Sequence, residues 1–211
     1  MNENKIKRND LLAETIIKNL AKRNMTGYYA HSKAEALQIA LSLIPEGSKV
    51  GRGGSMSVNE IGLNDALEKG NYQFVNREKL TGEDKRKADL FTYDADVFLA
   101  SVNAISVDGV LVNIDGNSNR VSALAYGPKK VILIVGMNKV AGDVDAALKR
   151  ARNEAATTNA QRFGLTTPCT KTGACMNCLS PDTICCQFLF TRYSRHAGRI
   201  HVILVNDNLG F

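Results

Sequence analysis

The sequence has few aromatic residues and no long hydrophobic run. Tryptophan is absent, and aromatic residues make up 6% of the 211 positions. A hydrophobic core must therefore be built mainly from Ala, Val, Ile and Leu, as is common in α/β sheets covered by helices. The longest apolar run, Val131 to Val135, is far shorter than the ~18 residues of a membrane-spanning helix. We therefore expect no membrane insertion.

The first ten residues lack the features of a secretory signal. They read MNENKIKRND, with no apolar stretch after the lysines, which is the opposite of a signal peptide. We therefore expect a cytoplasmic protein. In that reducing compartment, cysteines more often bind metal, react or pack than form structural disulfides.

The charge balance is only mildly basic. The chain has 27 Lys and Arg against 21 Asp and Glu, a formal net charge of +6. This excess favours anionic partners such as phosphates, carboxylates or cofactors. The densest basic stretches, at residues 85–87 and 149–152, lie in helix-like sequence with interleaved acids and are typical of a solvated face. Nucleic acid is not an expected partner.

Helical and strand patterns alternate and predict an α/β fold with a mixed, mostly parallel sheet flanked by helices. Helices are expected after Asp10 as an N-cap and after Ser32, whose spacing to Glu35 is that of a capping box. The dipeptide Asp108-Gly109 predicts a hairpin turn. Short apolar runs predict strands at residues 48–50, 72–75, 97–102, 110–114, 131–135 and 200–205.

We expect one domain with four parts. These are an N-terminal helical part (1–47), an α/β core (48–165), a cysteine-rich segment (166–198) and a C-terminal strand (199–211).

A glycine loop, GRGGS at residues 51–55, connects a predicted strand to a predicted helix. Glycine lets the backbone turn sharply and approach a ligand, and amides at a helix N-terminus attract anions. The spacing fits neither a Walker A loop nor a dinucleotide fingerprint, and a tight connection without ligand is the alternative. Glu60 fits best as the acid of a capping box begun by Ser57. The candidate anion-binding residues are Gly51, Arg52, Gly53, Gly54 and Ser55.

A second polar segment spans residues 113–120. From Asp115 onward the sequence begins like a calcium-binding loop. Counted from Asp115, however, the sixth position is Arg120 rather than Gly and the twelfth is Tyr126 rather than Glu. The segment therefore predicts a helix N-terminus, where Arg120 can pair with a carboxylate or phosphate. Turn chemistry alone is the alternative.

All five cysteines lie between Cys169 and Cys186. Four soft ligands within 17 residues can close a metal site, for which zinc is the first candidate and an iron–sulfur cluster the second. No standard spacing is matched, so a reactive thiol pair and inert packing remain alternatives. The four candidate ligands have the spacing C-x5-C-x2-C-x6-C and are Cys169, Cys175, Cys178 and Cys185.

Four segments together resemble the LUD-domain proteins, the lactate-utilization family. They are GRGGSMSVNEIG, SVNAISVDGVLVNIDGNSNRVSALAYGPKKVILIVGMNKV, RARNEAATTNAQRFG and PCTKTGACMNCLSPDTIC. The resemblance covers nearly the whole chain. It implies a Rossmann-like core similar to those of glucosamine-6-phosphate deaminase, ribose-5-phosphate isomerase and CoA transferases.

The resemblance also implies a ligand pocket and partners. The pocket motif would include Gly51, Gly53, Gly54, Ser55 and Glu60, together with Asn113, Asn119 and Arg120. LUD proteins are similar to subunits of a three-part lactate oxidation system in which a separate protein carries iron–sulfur clusters. A small anionic metabolite and oxidoreductase subunits are therefore the expected partners, and a homo-oligomer is left open. Two alternatives remain: a transferase or sugar-phosphate isomerase with Glu60 or Asp115 as its acid–base group, and a non-catalytic, metal-stabilised metabolite sensor.

Overall fold

Two β-sheets organise the chain, whose computed structural model describes residues 2–211. Six strands form a parallel sheet in the order β1-β10-β7-β4-β2-β3, and the other four form a mixed sheet in the order β8-β5-β6-β9. The expected α/β fold is confirmed. The strands are β1 (Thr26–Ala30), β2 (Lys49–Arg52), β3 (Gln73–Phe74), β4 (Val97–Ala100), β5 (Ala104–Ser106), β6 (Leu111–Asp115), β7 (Lys130–Gly136), β8 (Val140–Ala141), β9 (Gln187–Thr191) and β10 (Ile200–Val205).

Helices cover both faces of the parallel sheet. They are α1 (Glu3–Lys22), α2 (Lys33–Ser42), α3 (Met56–Glu60), α4 (Leu63–Lys69), α5 (Gly82–Tyr93), α6 (Asn119–Ala125), α7 (Val144–Arg150), α8 (Thr157–Arg162) and α9 (Pro168–Thr172). A π-helical segment, Ala151–Ala156, joins α7 to α8, and 3-10 turns occupy Arg77–Lys79 and Met137–Lys139. None of the helices described between residues 2 and 211 is long and apolar enough to cross a membrane.

The core lies on the two sides of the central strands. Successive side chains of a strand point to opposite faces, so Leu133 of β7 packs in the cluster that includes α1, whereas Ile132 and Ile134 pack against α2, α3 and α4. A strand buried on both faces reads as a continuous apolar run, which is why residues 131–135 were identifiable from the sequence.

The expected N-caps at Asp10 and Ser57 are wrong. Helix α1 begins at Glu3, where the Asn2 side chain accepts from the Asn4 backbone, because its first turns are solvated and need no apolar periodicity. Helix α3 is capped by Ser55, whose hydroxyl accepts from the Val58 backbone. The Ser57 side chain instead lies in the buried interior.

The hairpin expected at Asp108-Gly109 is confirmed. It joins the antiparallel strands β5 and β6, and Gly109 has a φ of 88°, which favours glycine. This antiparallel pairing lies in the second sheet, so the strand pairs of the main sheet remain parallel throughout.

Candidate functional site

The chain changes direction across the parallel sheet between β2 and β4. From β2 it continues to β3 at the sheet edge and then returns to β4 on the other side of β2. In open α/β sheets, the crevice outside the carboxyl ends of the strands at such a reversal is the preferred ligand site. The glycine loop follows β2 at this end, Ser101 follows β4, and the 3-10 turn Met137–Lys139 follows β7.

A polar cavity of about 90 Å³ lies at these strand ends, and its lining includes Ser55, Ser101 and Lys139. A second cavity of about 420 Å³ extends from it toward Arg77 and Lys85. We call the two together the strand-end cleft. They have in common Gly54, Asn103, Ile114, Arg120, Asn159 and Arg162.

Lys139 is a buried amine at the smaller cavity. Only 3% of the residue is exposed, and its Nζ donates to Ser57 Oγ and Ser101 Oγ, each at 3.0 Å. Burial, together with the positive charges of Arg150 and Arg120, lowers the pKa of Lys139 to about 7, and Glu60 partly opposes this shift. An ammonium group has three N–H donors, so one remains for a ligand.

Sequence reasoning missed Lys139. The chain has many lysines, and GMNKV carries no motif that separates this one from a solvated lysine. Its two hydroxyl partners lie 82 and 38 residues away along the chain. The one local signal was its position shortly after β7, which contains the apolar run 131–135, because a ligand site is expected at the carboxyl ends of the strands in an α/β sheet.

Arg120 supplies positive charge to the cleft, but its N–H groups already have partners. Its two terminal nitrogens donate to the side chains of Asn103 and Asn113 and to the carbonyls of Ser101 and Ile114. Burial lowers the pKa of Arg120. We infer that Arg120 ties the segment after β4 to β6 and acts on a ligand mainly through its charge. Asn113 is itself buried and orients this guanidinium.

Asp115 holds the start of α6. One carboxylate oxygen accepts from the backbone N–H groups of Asn117 and Ser118, and the other accepts from those of Arg120 and Val121, at 3.1–3.2 Å. These four bonds satisfy helix-terminal donors. The arrangement favours a structural role over the expected acid–base role.

The residues of the glycine loop divide between packing and the cleft. A Cβ on Gly51 would lie 2.8 Å from the Thr92 Cα, and one on Gly53 would lie 3.0 Å from the Arg120 Cγ. Glycine at these positions therefore permits close packing. Gly54 and Ser55 line the cleft.

Arg52 does not line either cavity of the cleft. Its side chain is buried and donates to Glu78 at 3.0 Å and to the carbonyls of Gly53 and Ser55. Burial lowers the pKa of Arg52, and Glu78 opposes this. These hydrogen bonds to the carbonyls stabilise the glycine loop. The charge of Arg52 is paired with Glu78 and does not face the cleft.

Of the predicted site residues Glu60 and Asn119, Asn119 lines the cleft and Glu60 does not; Glu60 instead contacts Gly210, which lines the smaller cavity. Glu60 Oε2 accepts from the Gly210 backbone at 3.0 Å, so its interpretation as a capping-box acid is wrong. Asn119 lines the larger cavity and donates to Asp89 at 3.1 Å.

A family model for the LUD domain matches residues 13–205. The chain belongs to the LUD-domain family. A crystal structure with a similar fold is that of a DUF162 family protein from Deinococcus radiodurans. Its TM-score is 0.53 at 12% identity, and the match covers 93% of this chain and 97% of the other. At that identity the likeness concerns the fold. The comparison with curated proteins gave no significant match.

The cysteine-rich segment of this LUD domain forms a cavity of its own. This thiol cavity has about 160 Å³ and is lined by Cys169, Cys175, Cys178 and Cys185. Within the described part of the chain, residues 2–211, no three His, Cys, Asp or Glu side chains are placed to hold one metal ion. The expected metal site therefore stays a prediction.

The thiols of this cavity differ in their electrostatics. Hydrogen bonds from the Ser180 backbone and side chain lower the pKa of Cys178. Burial raises the pKa of Cys185, and the neighbouring Cys175 raises it further. The strand-end cleft and the thiol cavity share Ala156, Thr183 and Ile184, so the two predicted sites are neighbours.

Proposed function

We propose that this LUD domain binds a small organic acid, lactate or a related 2-hydroxy or 2-oxo acid, in the strand-end cleft, and acts in or beside the oxidation of such acids. The observation that supports it most is the buried Lys139 amine. A buried lysine with two hydroxyl partners and one remaining donor is a costly arrangement, and an anionic ligand would stabilise its charged form.

The charge of the cleft fits an anion. Lys139 and Arg120 provide positive charge at the smaller cavity, and Arg162 lies where the two cavities meet. The negative side chains in the lining are Asp115, which forms an ion pair with Arg120 at 3.7 Å, and Asp182, which accepts from Thr166. Lys139 and Arg162 are therefore the cations of the smaller cavity that have no carboxylate partner among these. A carboxylate would therefore enter a net positive field.

The size of the smaller cavity fits a short acid. Its volume of about 90 Å³ is well below the ~300–1,000 Å³ of pockets that enclose drug-sized ligands. The carboxylate would accept from Lys139 and from backbone N–H groups near Gly54 and Ser55, where the loop meets the start of α3.

A second candidate is a phosphorylated substrate of a transferase or isomerase. The larger cavity, about 420 Å³, includes Lys85 and Arg77 in its lining. Arg77 is paired with Asp89 through two hydrogen bonds. This leaves Lys85 and Arg162 as the cations best placed to bind a phosphate there.

The test is calorimetric titration of the wild-type protein with L-lactate, pyruvate, ribose 5-phosphate and inorganic phosphate. We expect the monocarboxylates to bind and Lys139→Met to weaken that binding about tenfold to a hundredfold, the effect of removing one charge-assisted hydrogen bond. Lys149→Met is the matched control, because Lys149 is exposed on α7. Equal affinities for wild type and Lys139→Met, or no binding of either acid, would contradict the proposal; a preference for ribose 5-phosphate would favour the second candidate.

A further inference from the structure

Four of the five cysteines surround one space. Cys169, Cys175, Cys178 and Cys185 line the thiol cavity. Cys186 follows directly in sequence, yet it is exposed and is not part of the lining. The fold therefore selects the four cysteines of the C-x5-C-x2-C-x6-C pattern and leaves out the fifth.

Backbone reversals place these thiols around the cavity. Cys169 lies in the first turn of α9, and the residue that follows this helix, Gly173, has a φ of 73°. Asn177, between Cys175 and Cys178, has a φ of 51°. Left-handed residues of this kind turn the chain within a few residues, so cysteines that are distant in an extended segment face the same space.

The surroundings of Cys169 and Cys175 suit thiolates. The Arg152 guanidinium donates to Cys175 Sγ at 3.5 Å and to the Asn177 side chain at 2.6 Å. Thr167 Oγ1 lies 3.2 Å from Cys169 Sγ. Positive charge and hydrogen-bond donors beside sulfur stabilise the thiolate form, which is the form that binds metal.

The arrangement of the four thiols bears on the kind of metal centre that fits the cavity. One Zn²⁺ ion bound to four sulfurs at ~2.3 Å would bring neighbouring sulfurs to roughly 3.8 Å from each other. In residues 2–211, no three His, Cys, Asp or Glu side chains are placed to hold a single metal ion, although all four thiols line a cavity of about 160 Å³. In an iron–sulfur cluster, iron and sulfide ions lie between the cysteine sulfurs, so the sulfurs are held farther apart.

We propose that the thiol cavity binds an iron–sulfur cluster through Cys169, Cys175, Cys178 and Cys185. The proposal rests on the residues of this cavity and not on acid binding at Lys139. Because the cavity shares Ala156, Thr183 and Ile184 with the strand-end cleft, the cluster lies directly behind the wall of that cleft.

The experiment is purification of the full chain without oxygen, followed by metal analysis, sulfide analysis and visible absorption. We expect iron and acid-labile sulfide in equal amounts, roughly two or four of each per chain according to cluster type, with a visible absorption band that bleaches on reduction. If cluster assembly is incomplete in the producing cell, incubation with ferrous iron and sulfide should restore it. Stoichiometric zinc in a colourless protein would overturn the proposal, as would failure to retain iron after this incubation.

Two cysteine variants test which thiols bind the cluster. Cys178→Ser should lose most of the iron and the visible band, whereas Cys186→Ser, which alters the cysteine outside the cavity, should keep both. Circular dichroism monitors folding of each variant. Retention of the band by Cys178→Ser, or its loss from a folded Cys186→Ser, would contradict the assignment. Lys139→Met should keep the band, so the cluster and the acid site are tested separately.

Discussion

Replacing Lys139 by Met should change how the stability of the protein depends on pH. Lys139 has a pKa of about 7 in the folded protein against an ordinary value of 10.5. Between these values the unfolded chain holds one proton more than the folded protein at this residue, so stability rises with pH. Below pH 7 both states are charged, and the full cost of burying the ammonium is present.

The size of this effect follows from the gap between the two pKa values. At about 1.4 kcal/mol per pH unit, the cost is at most about 5 kcal/mol, and roughly 2 kcal/mol of it is relieved between pH 7 and pH 9. Methionine has a similar length and no charge, so Lys139→Met removes this pH-dependent cost. It also leaves the Ser57 and Ser101 hydroxyls without the amine, which adds a cost that does not depend on pH.

Urea unfolding of wild type and variant at several pH values from 6 to 9 provides the measurement. The difference in unfolding free energy between the two proteins should shift by roughly 2 kcal/mol in favour of wild type as pH rises. Other groups titrate equally in both proteins and cancel. Lys149→Met should follow the wild-type profile. Parallel profiles for wild type and Lys139→Met would refute the argument, because they would mean that Lys139 keeps an ordinary pKa.

Two further predictions concern packing and capping near the cleft. Asp115→Ala should lower the free energy of unfolding by about 2–4 kcal/mol, because four backbone donors lose their acceptor. Asp115→Asn keeps one acceptor oxygen and should lose less stability. Equal losses for the two variants in urea unfolding would argue against the capping role. Gly51→Ala should cost about 1–3 kcal/mol because its Cβ would contact the Thr92 backbone, whereas Gly54→Ala meets only the end of a flexible side chain at 3.9 Å and should be nearly neutral. Equal melting temperatures for the two glycine variants would contradict this.

Strands buried on both faces were identifiable from the sequence alone. The predicted strand at residues 200–205 coincides with β10, and the apolar run 131–135 lies within β7. The edge strand β1 was not predicted as a strand, because its first four residues are only half-buried and its pattern lacks a continuous apolar run. β9 is also an edge strand, and its partly exposed residues give the same weak signal.

The residue types of the candidate site were predicted better than their roles. Sequence patterns indicated the glycine loop and the segment that contains Arg120, and Gly54, Ser55 and Arg120 do lie at the cleft. Whether a donor is free depends on its partners in the fold. For that reason the sequence could not show that Arg52 faces Glu78, or that Asp115 accepts from the start of α6.

By itself, the sequence determined the alternation of strands and helices, the hairpin at Asp108-Gly109 and the local clustering of the thiols. Each depends on neighbouring residues, through the period of the apolar pattern, the turn preference of glycine or simple spacing. Only the tertiary structure decided that Lys139 is buried beside Ser57 and Ser101, and that four of the five cysteines share one cavity. The burial of a charged group and its pKa depend on segments that the order of strands in the sheet brings together. A single stretch of sequence does not determine that order.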